Sequence, residues 1–250
     1  MVTRSLDYLE YCRETAKHAR DPHDLALRGR DKKELTKQVH HQIADAVELR
    51  PGDDLVDIGC GDGTMLRIAE SAGARTAIGV LATDEEVAVL RRSGLNVTQG
   101  LSDQLPLPDA SASVVVCNNV LLVVPREKIP ASLREIYRIA KPEARILLGE
   151  LPGAEQHDPT PQFTTRRELL SHLYRKHGFR TWFGMLRRMA YRQLTGKPPL
   201  INSGTSISFW ATPKDFIAMA EAAGLEPVHH WQCSHYKTRN SYLFRKPSGD

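Results

Sequence analysis

The stretch Leu55-Val-Asp-Ile-Gly-Cys-Gly-Asp-Gly-Thr-Met-Leu66 sets three glycines at alternate positions, with Asp57 before them and Asp62 among them. A strand that runs into a glycine turn and opens a helix is the usual cradle for a dinucleotide, because backbone N–H groups at a helix N-terminus favour phosphate. Here two carboxylates stand beside that cradle. They repel a pyrophosphate and favour a cation, or a neutral group that donates hydrogen bonds. The spacing agrees, since Gly59-x-Gly61-x-Gly63 is not the G-x-G-x-x-G fingerprint of nicotinamide enzymes.

A turn of this kind needs a strand before it and a helix behind it, and the sequence supplies both. Residues 55–58 read as a strand and 64–71 as the following helix. Upstream, Leu35, Val39, Ile43, Ala46 and Val47 recur at helical spacing over residues 31–49, and Arg50-Pro51-Gly52 ends that helix. Downstream come strands at 77–81, 96–98, 113–117 and 145–150, with helices at 83–93 and 129–140 between them. Thr83-x-x-Glu86 has the form of a capping box at the start of the first of these helices. Strands alternating with helices predict a doubly wound, mostly parallel α/β sheet covered on both faces. In such sheets a ligand lies across the carboxyl ends of the strands, which is where the glycine turn falls.

Residues 1–30 read as a polar, irregular arm, with Asp21-Pro22 and Arg28-Gly29 breaking any helix begun in 6–18. After Glu150 the rhythm stops. Pro152, Gly153, Pro159 and Pro161 mark a loop, and Gly196-Lys-Pro-Pro199 closes the segment that follows. A helix at 213–223 and strands at 225–231 and 241–245 complete the chain, the last two near enough to pair antiparallel.

The formal net charge of +4 is unevenly spread. Residues 163–197 hold nine Lys and Arg against the single acid Glu168, a local +8 that leaves −4 for the remainder. In Trp182-Phe-Gly-Met-Leu-Arg-Arg-Met-Ala190 the apolar Trp182, Phe183, Leu186, Met189 and Ala190 fall on one helical face, and Arg187, Arg188 and Arg192 lean to another. A surface helix packed on a sheet gives this pattern; so does a lid whose cations attract an anionic ligand or anionic lipid. Nucleic acid is not expected as a partner, because no zinc finger, RNA-binding signature or aromatic-interleaved basic arm accompanies the patch. No apolar run reaches the ~18 residues of a membrane span, and a cytoplasmic location is expected.

Cys12, Cys60, Cys117 and Cys233 contain no C-x-x-C pair, so reduced packing residues are expected rather than disulfides. His229, Cys233 and His235 would share a face of one continuous strand, a metal-like spacing, but no acid lies nearby and no metal is expected. His40-His41 are adjacent helical residues and carry little information.

Val56-Asp-Ile-Gly-Cys-Gly-Asp-Gly63 resembles the first motif of the class I S-adenosylmethionine-dependent methyltransferases, of the Rossmann-like superfamily. Gln104-Leu-Pro-Leu-Pro-Asp109 followed by Ser113-Val-Val-Val-Cys-Asn-Asn-Val120 is similar to the segment that leads into their fourth strand. The resemblance covers residues 31–152 and 207–247. It implies a seven-stranded sheet with an antiparallel last strand, an N-terminal arm (1–30) over the active site and a basic helical lid insertion (153–206). The implied cofactor is S-adenosylmethionine, whose sulfonium and amino group and lack of phosphate suit an acidic glycine turn.

By this resemblance Asp57 orients the methionyl amino group, Gly59, Cys60 and Gly61 let the chain approach the ligand, and Asn118 lies beside its methionine part. Leu81, Ala82, Ser102 and Asp103 would flank the adenosine. Two positions depart from the family's pattern. The second strand commonly ends in an acid that holds the ribose hydroxyls, and here it ends in Leu81; Leu101 stands where an acid near the adenine is common. Asp84, Glu85 and Asp103 are the acids near enough in sequence to substitute, although Asp84 and Glu85 also suit a helix N-terminus.

Methyl transfer is a displacement on carbon that needs alignment and exclusion of water, and an oxygen or nitrogen acceptor also needs a base. His157 is the first candidate for that base, with Tyr8 or Tyr11 closing the pocket. The expected acceptor is a small or medium-sized, anionic metabolite, or a lipid or saccharide intermediate. The competing expectation is a binding or scaffold protein of the same fold with altered or lost cofactor use.

Overall fold

The computed structural model describes residues 8–19, 21–26, 33–153, 179, 183, 209–234 and 238–248. A seven-stranded sheet runs in the order β3-β2-β1-β4-β5-β7-β6. Its strands are β1 (Asp54–Ile58), β2 (Thr76–Leu81), β3 (Val97–Gln99), β4 (Ala112–Asn118), β5 (Ala140–Pro152), β6 (Glu226–Gln232) and β7 (Arg239–Arg245). β7 pairs antiparallel with both β5 and β6, and the pairings among β1 to β5 are parallel. This is the mostly parallel α/β sheet with one antiparallel last strand that the sequence predicts.

The central strands are buried on both faces, so they read as unbroken apolar runs. Leu55, Val114, Val115, Val116, Ile146, Leu147 and Leu148 are all fully buried. One face of the sheet packs on α6 (Ile129–Ile139), through Ile129, Leu133, Ile136 and Ile139. That layer continues into Phe216 of the helix Pro213–Glu221, whose ring packs on Tyr242 with centroids 4.8 Å apart. The other face carries α3 (Lys33–Ala46) through Val39 and Ile43, α4 (Thr64–Ser71) through Met65, Leu66 and Ala69, and α5 (Asp84–Arg91) through Val87 and Leu90.

Two helices occupy the arm expected to be irregular, α1 (Tyr8–His18) and α2 (His23–Ala26), with the break at Asp21-Pro22 between them. Cys12, Ala16 and Leu25 are buried. The packing of Ala16 and Leu25 in the second layer supplies what the arm's polar composition does not. β5 also begins earlier than its apolar run, because Ala140 already pairs with Ala112 across a register irregularity.

At the foot of the sheet Asp54 binds Arg75 and Lys141 and accepts a 2.9 Å hydrogen bond from Thr76 Oγ1. Arg75 above all, then Lys141 and Thr76, holds the Asp54 carboxyl well below the usual carboxylate range against the cost of its burial. This cluster lies at the N-terminal ends of β1 and β2, away from the glycine turn.

Candidate active site

The chain leaves β1 for β2 and β3 on one side and returns to β4 on the other, so strand order reverses between β1 and β4. A cavity of about 510 Å³ opens at the carboxyl ends of these strands. The β1 turn contributes Gly59, Cys60, Gly61 and Asp62; the β2 tip contributes Leu81 and Ala82; the loop after β3 contributes Leu101, Ser102 and Asp103. Asn118, Asn119 and Val120 close it from β4, and Tyr8, Leu9, Leu25, Thr36 and His40 wall it from α1, α2 and α3.

The glycine turn is held by geometry that side chains would disturb. Gly59 has φ +72° and a Cβ there would stand 2.2 Å from Val120 Cγ2; Gly61 has φ +55° and a Cβ would enter open space. The backbone is thus bare on the side that faces the cavity.

Asp57 is buried at the end of β1. Burial first, and then the charge of Asp62, pushes its carboxyl up to about 7. Asp62 itself accepts hydrogen bonds from the Thr64 N–H and Oγ1 at 3.0 and 2.6 Å, and its second oxygen lies 3.3 Å from His23 Nδ1. The Cys60 thiol lies amid these acids: its own burial, then the carboxylates of Asp57, Glu86 and Asp62, push its pKa well up. It is a packing group and not a thiolate nucleophile.

Asn118 donates through Nδ2 to Glu150 Oε1 at 3.1 Å, and Arg239 Nη1 donates to Glu150 Oε2 at 3.1 Å and to Asn119 Oδ1 at 2.6 Å. Glu150 is 1% exposed, so β4, β5 and β7 are joined beside the cavity by a buried ionic network. Ser132 Oγ donates to the Lys128 carbonyl, which leaves Ser102 as the donor in the 2.9 Å Ser102–Ser132 contact. The Ser102 hydroxyl is therefore engaged with α6. Asp103 forms a 2.9 Å ion pair with Lys128 at the rim.

Residues 56–148 match the family model of a methyltransferase domain. The chain is 32% identical over 118 residues to the malonyl-[acyl-carrier protein] O-methyltransferase of Serratia marcescens, covering 47% of this chain and 46% of that protein. It spans about half the length of the curated relatives it matches. Among solved structures, magnesium protoporphyrin IX methyltransferase from Synechocystis PCC 6803 with bound SAH superposes with TM-score 0.57 at 14% identity, over 87% of this chain and 89% of that one. Residues 56–148 are thus a methyltransferase domain, in a chain with the fold of S-adenosylmethionine-dependent methyltransferases. The [4+2]-cyclase SpnF shares the fold as well, with TM-score 0.60 at 16% identity over 88% of this chain and 84% of that one.

The residues of the methyltransferase domain fit its cofactor. Bare glycine backbone and a buried carboxyl at Asp57 suit a ligand with an ammonium, a sulfonium and no phosphate. Leu81, Ala82, Ser102 and Asp103 line the part of the wall expected to flank the adenosine. Asp84 is exposed and Glu85 half-buried, and neither lines the cavity, so their charge serves the α5 N-terminus. Asp103 reaches the wall but is paired with Lys128. The acid that lines the cavity beside Leu81 is Glu86, 3% exposed, which the sequence reading treated only as the end of a capping box.

His40 belongs to the cavity wall as well. Its Nδ1 lies 2.7 Å from the Thr36 carbonyl. A carbonyl only accepts, so Nδ1 carries a proton. The signal available in the sequence was the i, i+4 pair Thr36 and His40 on one face of α3. His157 lies outside the described residues. Tyr11 falls within α1, and Tyr8 of the same helix lines the cavity.

The residues of the metal-like trio fall as follows. His229 is exposed and stacks on Trp231 at 5.6 Å, Cys233 is buried beyond the end of β6 with its Sγ 3.3 Å from Ser241 Oγ, and His235 lies outside the described residues. Among the described residues no group of three or more His, Cys, Asp or Glu is placed to hold a metal ion, none of the four cysteines is in a disulfide, and no helix is long and apolar enough to cross a membrane. Of the expected lid, Phe179 and Phe183 are described. Both are helical and exposed, with stacked rings 5.9 Å apart.

Proposed function

We propose that the protein transfers the methyl group of S-adenosylmethionine to a small or medium-sized acceptor bound under the N-terminal helices. The observation that carries this reading is the buried Asp57 behind a bare glycine turn, at the point where strand order reverses. The cofactor supplies an electrophilic methyl group on sulfur. Asp57 binds the amino end, Gly59 and Gly61 admit the ligand close to the backbone, and Asn118 flanks the methionine part. Leu81, Ala82, Ser102 and Asp103 surround the adenosine.

α1 and α2 exclude water from the reacting centre through Tyr8, Leu9 and Leu25. His40, on the cavity wall, joins His157 and Tyr11 as a candidate to take a proton from an acceptor hydroxyl or amine. The acceptor side of the wall is apolar at Val120, Val123, Val124 and Pro125. Together with the +8 excess of residues 163–197, this favours an anionic acceptor with an apolar body, lipid-linked or otherwise. The basic segment would also suit peripheral contact with anionic lipid.

A second reading is kept by the fold it shares with a [4+2]-cyclase: the same architecture serves a reaction not named as methyl transfer. In that case the chain binds a sulfonium or another ligand without transferring a methyl group. Native mass spectrometry of the purified protein, before and after exposure to S-adenosylmethionine, separates the two. Retained S-adenosylmethionine, converted to S-adenosylhomocysteine when acceptor extract is added, supports transfer. A retained ligand that stays unconverted supports the second reading.

A further inference from the structure

Two non-glycine residues with left-handed backbone stand side by side at the tips of β4 and β5. Asn119 has φ +62° and Glu150 φ +58°, and the Asn119 N–H donates to the Gly149 carbonyl at 2.9 Å. Asparagine adopts that conformation readily, whereas glutamate does so only where its surroundings hold it. Glu150 sits where the β5–β7 register slips, between Leu148 and Leu151, and its N–H donates to Ser241 Oγ at 3.3 Å. There its carboxylate meets Asn118 Nδ2 and Arg239 Nη1. A buried ion pair adds little stability over apolar side chains of the same volume, so joining three strands does not by itself account for a strained glutamate at this place.

The network does fix something that apolar packing cannot. A carboxamide can turn its oxygen and nitrogen end for end, and its neighbours decide which way it stands. Arginine only donates, so Asn119 meets Arg239 Nη1 with its oxygen, at 2.6 Å. The ion-paired carboxylate of Glu150 only accepts, so Asn118 meets it with Nδ2. A Cβ at Gly149 would stand 2.1 Å from Asn118 Oδ1, so that carboxamide rests against bare backbone. Asn118 therefore has its oxygen, and Asn119 its Nδ2 donors, to offer at a cavity that both residues line.

We propose that Arg239, which begins β7 and stands outside the cavity wall, is a positioning residue of the site: through Asn119 and Glu150 it fixes the two carboxamides at the β4 tip so that they present an acceptor and a donor side by side. That pair matches the ammonium and the carboxylate of a zwitterionic amino-acid group, which is one end of S-adenosylmethionine. The inference rests on the proposed use of that cofactor. Arg239 touches no ligand in this account and acts through the orientation of Asn118 and Asn119.

The test uses the full chain and calorimetric titration with S-adenosylhomocysteine and with 5′-methylthioadenosine, which has the adenosine and lacks the amino-acid group. Arg239→Met combined with Glu150→Gln removes both buried charges, and glutamine donates as well as accepts, so neither carboxamide is held to one orientation. This double variant is expected to keep a cooperative thermal melt, to lose about tenfold in affinity for S-adenosylhomocysteine and to stay within about twofold of wild type for 5′-methylthioadenosine. Asn119→Asp keeps an oxygen for Arg239 and tolerates the left-handed backbone, while the donor offered to the ligand becomes an acceptor. It is expected to show the same selective loss, about tenfold, and it decides the matter if the double variant does not fold. Wild-type affinity for S-adenosylhomocysteine in Asn119→Asp would overturn the proposal. An equal fall for both ligands would overturn it too, because a general loosening of the sheet gives that result. If wild-type protein bound no S-adenosylhomocysteine, the cofactor reading would fall and this inference with it, whereas saturable binding that the variants leave unchanged overturns this inference alone.

Discussion

His23 Nδ1 lies 3.3 Å from a carboxylate oxygen of Asp62, and this pair joins the short helix α2 to the glycine turn. The side chains are 19% and 9% exposed, so the contact is sheltered but not sealed. A pair of this kind contributes about 1 kcal/mol or less to global stability. His23→Ala is therefore expected to leave the melting temperature nearly unchanged. It should speed amide exchange across residues 8–26, because the arm loses its tether to the turn. Unchanged exchange in that segment would show that α1 alone holds the arm in place.

Asp57 gives a pH dependence whose sign follows from its raised pKa. The folded protein keeps on Asp57 a proton that the unfolded chain releases near the usual value of 3.8, up to about pH 7. Stability from this group is thus full at acid pH and is lost as pH rises to about 7, on the order of 4 kcal/mol across the window. Asp57→Asn should flatten that slope and stabilise the ligand-free protein at neutral pH. The same substitution should weaken binding of a ligand ammonium and remove the rise in affinity with pH that wild type shows below about 7. Urea melts and ligand titrations across that range check both halves.

The two glycines of the turn should respond differently to a methyl group. Gly61→Ala meets no neighbour and carries only the strain of φ +55°, about 1–2 kcal/mol. Its methyl enters the cavity, so ligand affinity should fall far more than stability. Gly59→Ala adds a contact of 2.2 Å with the stiff Val120 side chain to the strain of φ +72°, and should cost more stability. Thermal melts of the two variants give the ranking directly.

The Glu150 network predicts a further asymmetry. Arg239→Met removes a charged partner of the nearly unexposed Glu150 carboxylate and should destabilise by about 3–5 kcal/mol. Adding Glu150→Gln to that variant should restore much of the loss, because the buried charge is then gone while Asn118 keeps an acceptor. Equal instability of single and double variants would contradict the account.

The sheet was legible in the sequence because its central strands are buried on both faces and stand out as apolar runs between turns. α4 was legible to its ends, since Gly63 precedes it and Met65, Leu66 and Ala69 keep helical spacing. The start of β5 was not, because Lys141-Pro142-Glu143 reads as a turn and its pairing depends on an irregularity in β4 that only the assembled sheet provides. α1 was read as irregular because its stability comes from packing on the second layer and not from its own composition. At the site, the glycine turn and Asp57 were readable from residue type and spacing. Glu86 was not, since an acid three residues after a threonine signals a cap, and whether it faces water or a cavity is decided by how α5 sits on β2.

The central claim is that the cavity at the tips of β1, β2 and β4 binds S-adenosylmethionine with Asp57 at its amino end. Calorimetric titration of the full chain and of Asp57→Asn with S-adenosylhomocysteine, at about pH 8 where the Asp57 carboxyl is ionised, tests it most directly. The account predicts saturable binding of one ligand per chain by the wild type and affinity about tenfold or more weaker in the variant. Absence of heat and of any thermal shift with wild-type protein at millimolar ligand, or equal affinity in Asp57→Asn, would contradict it.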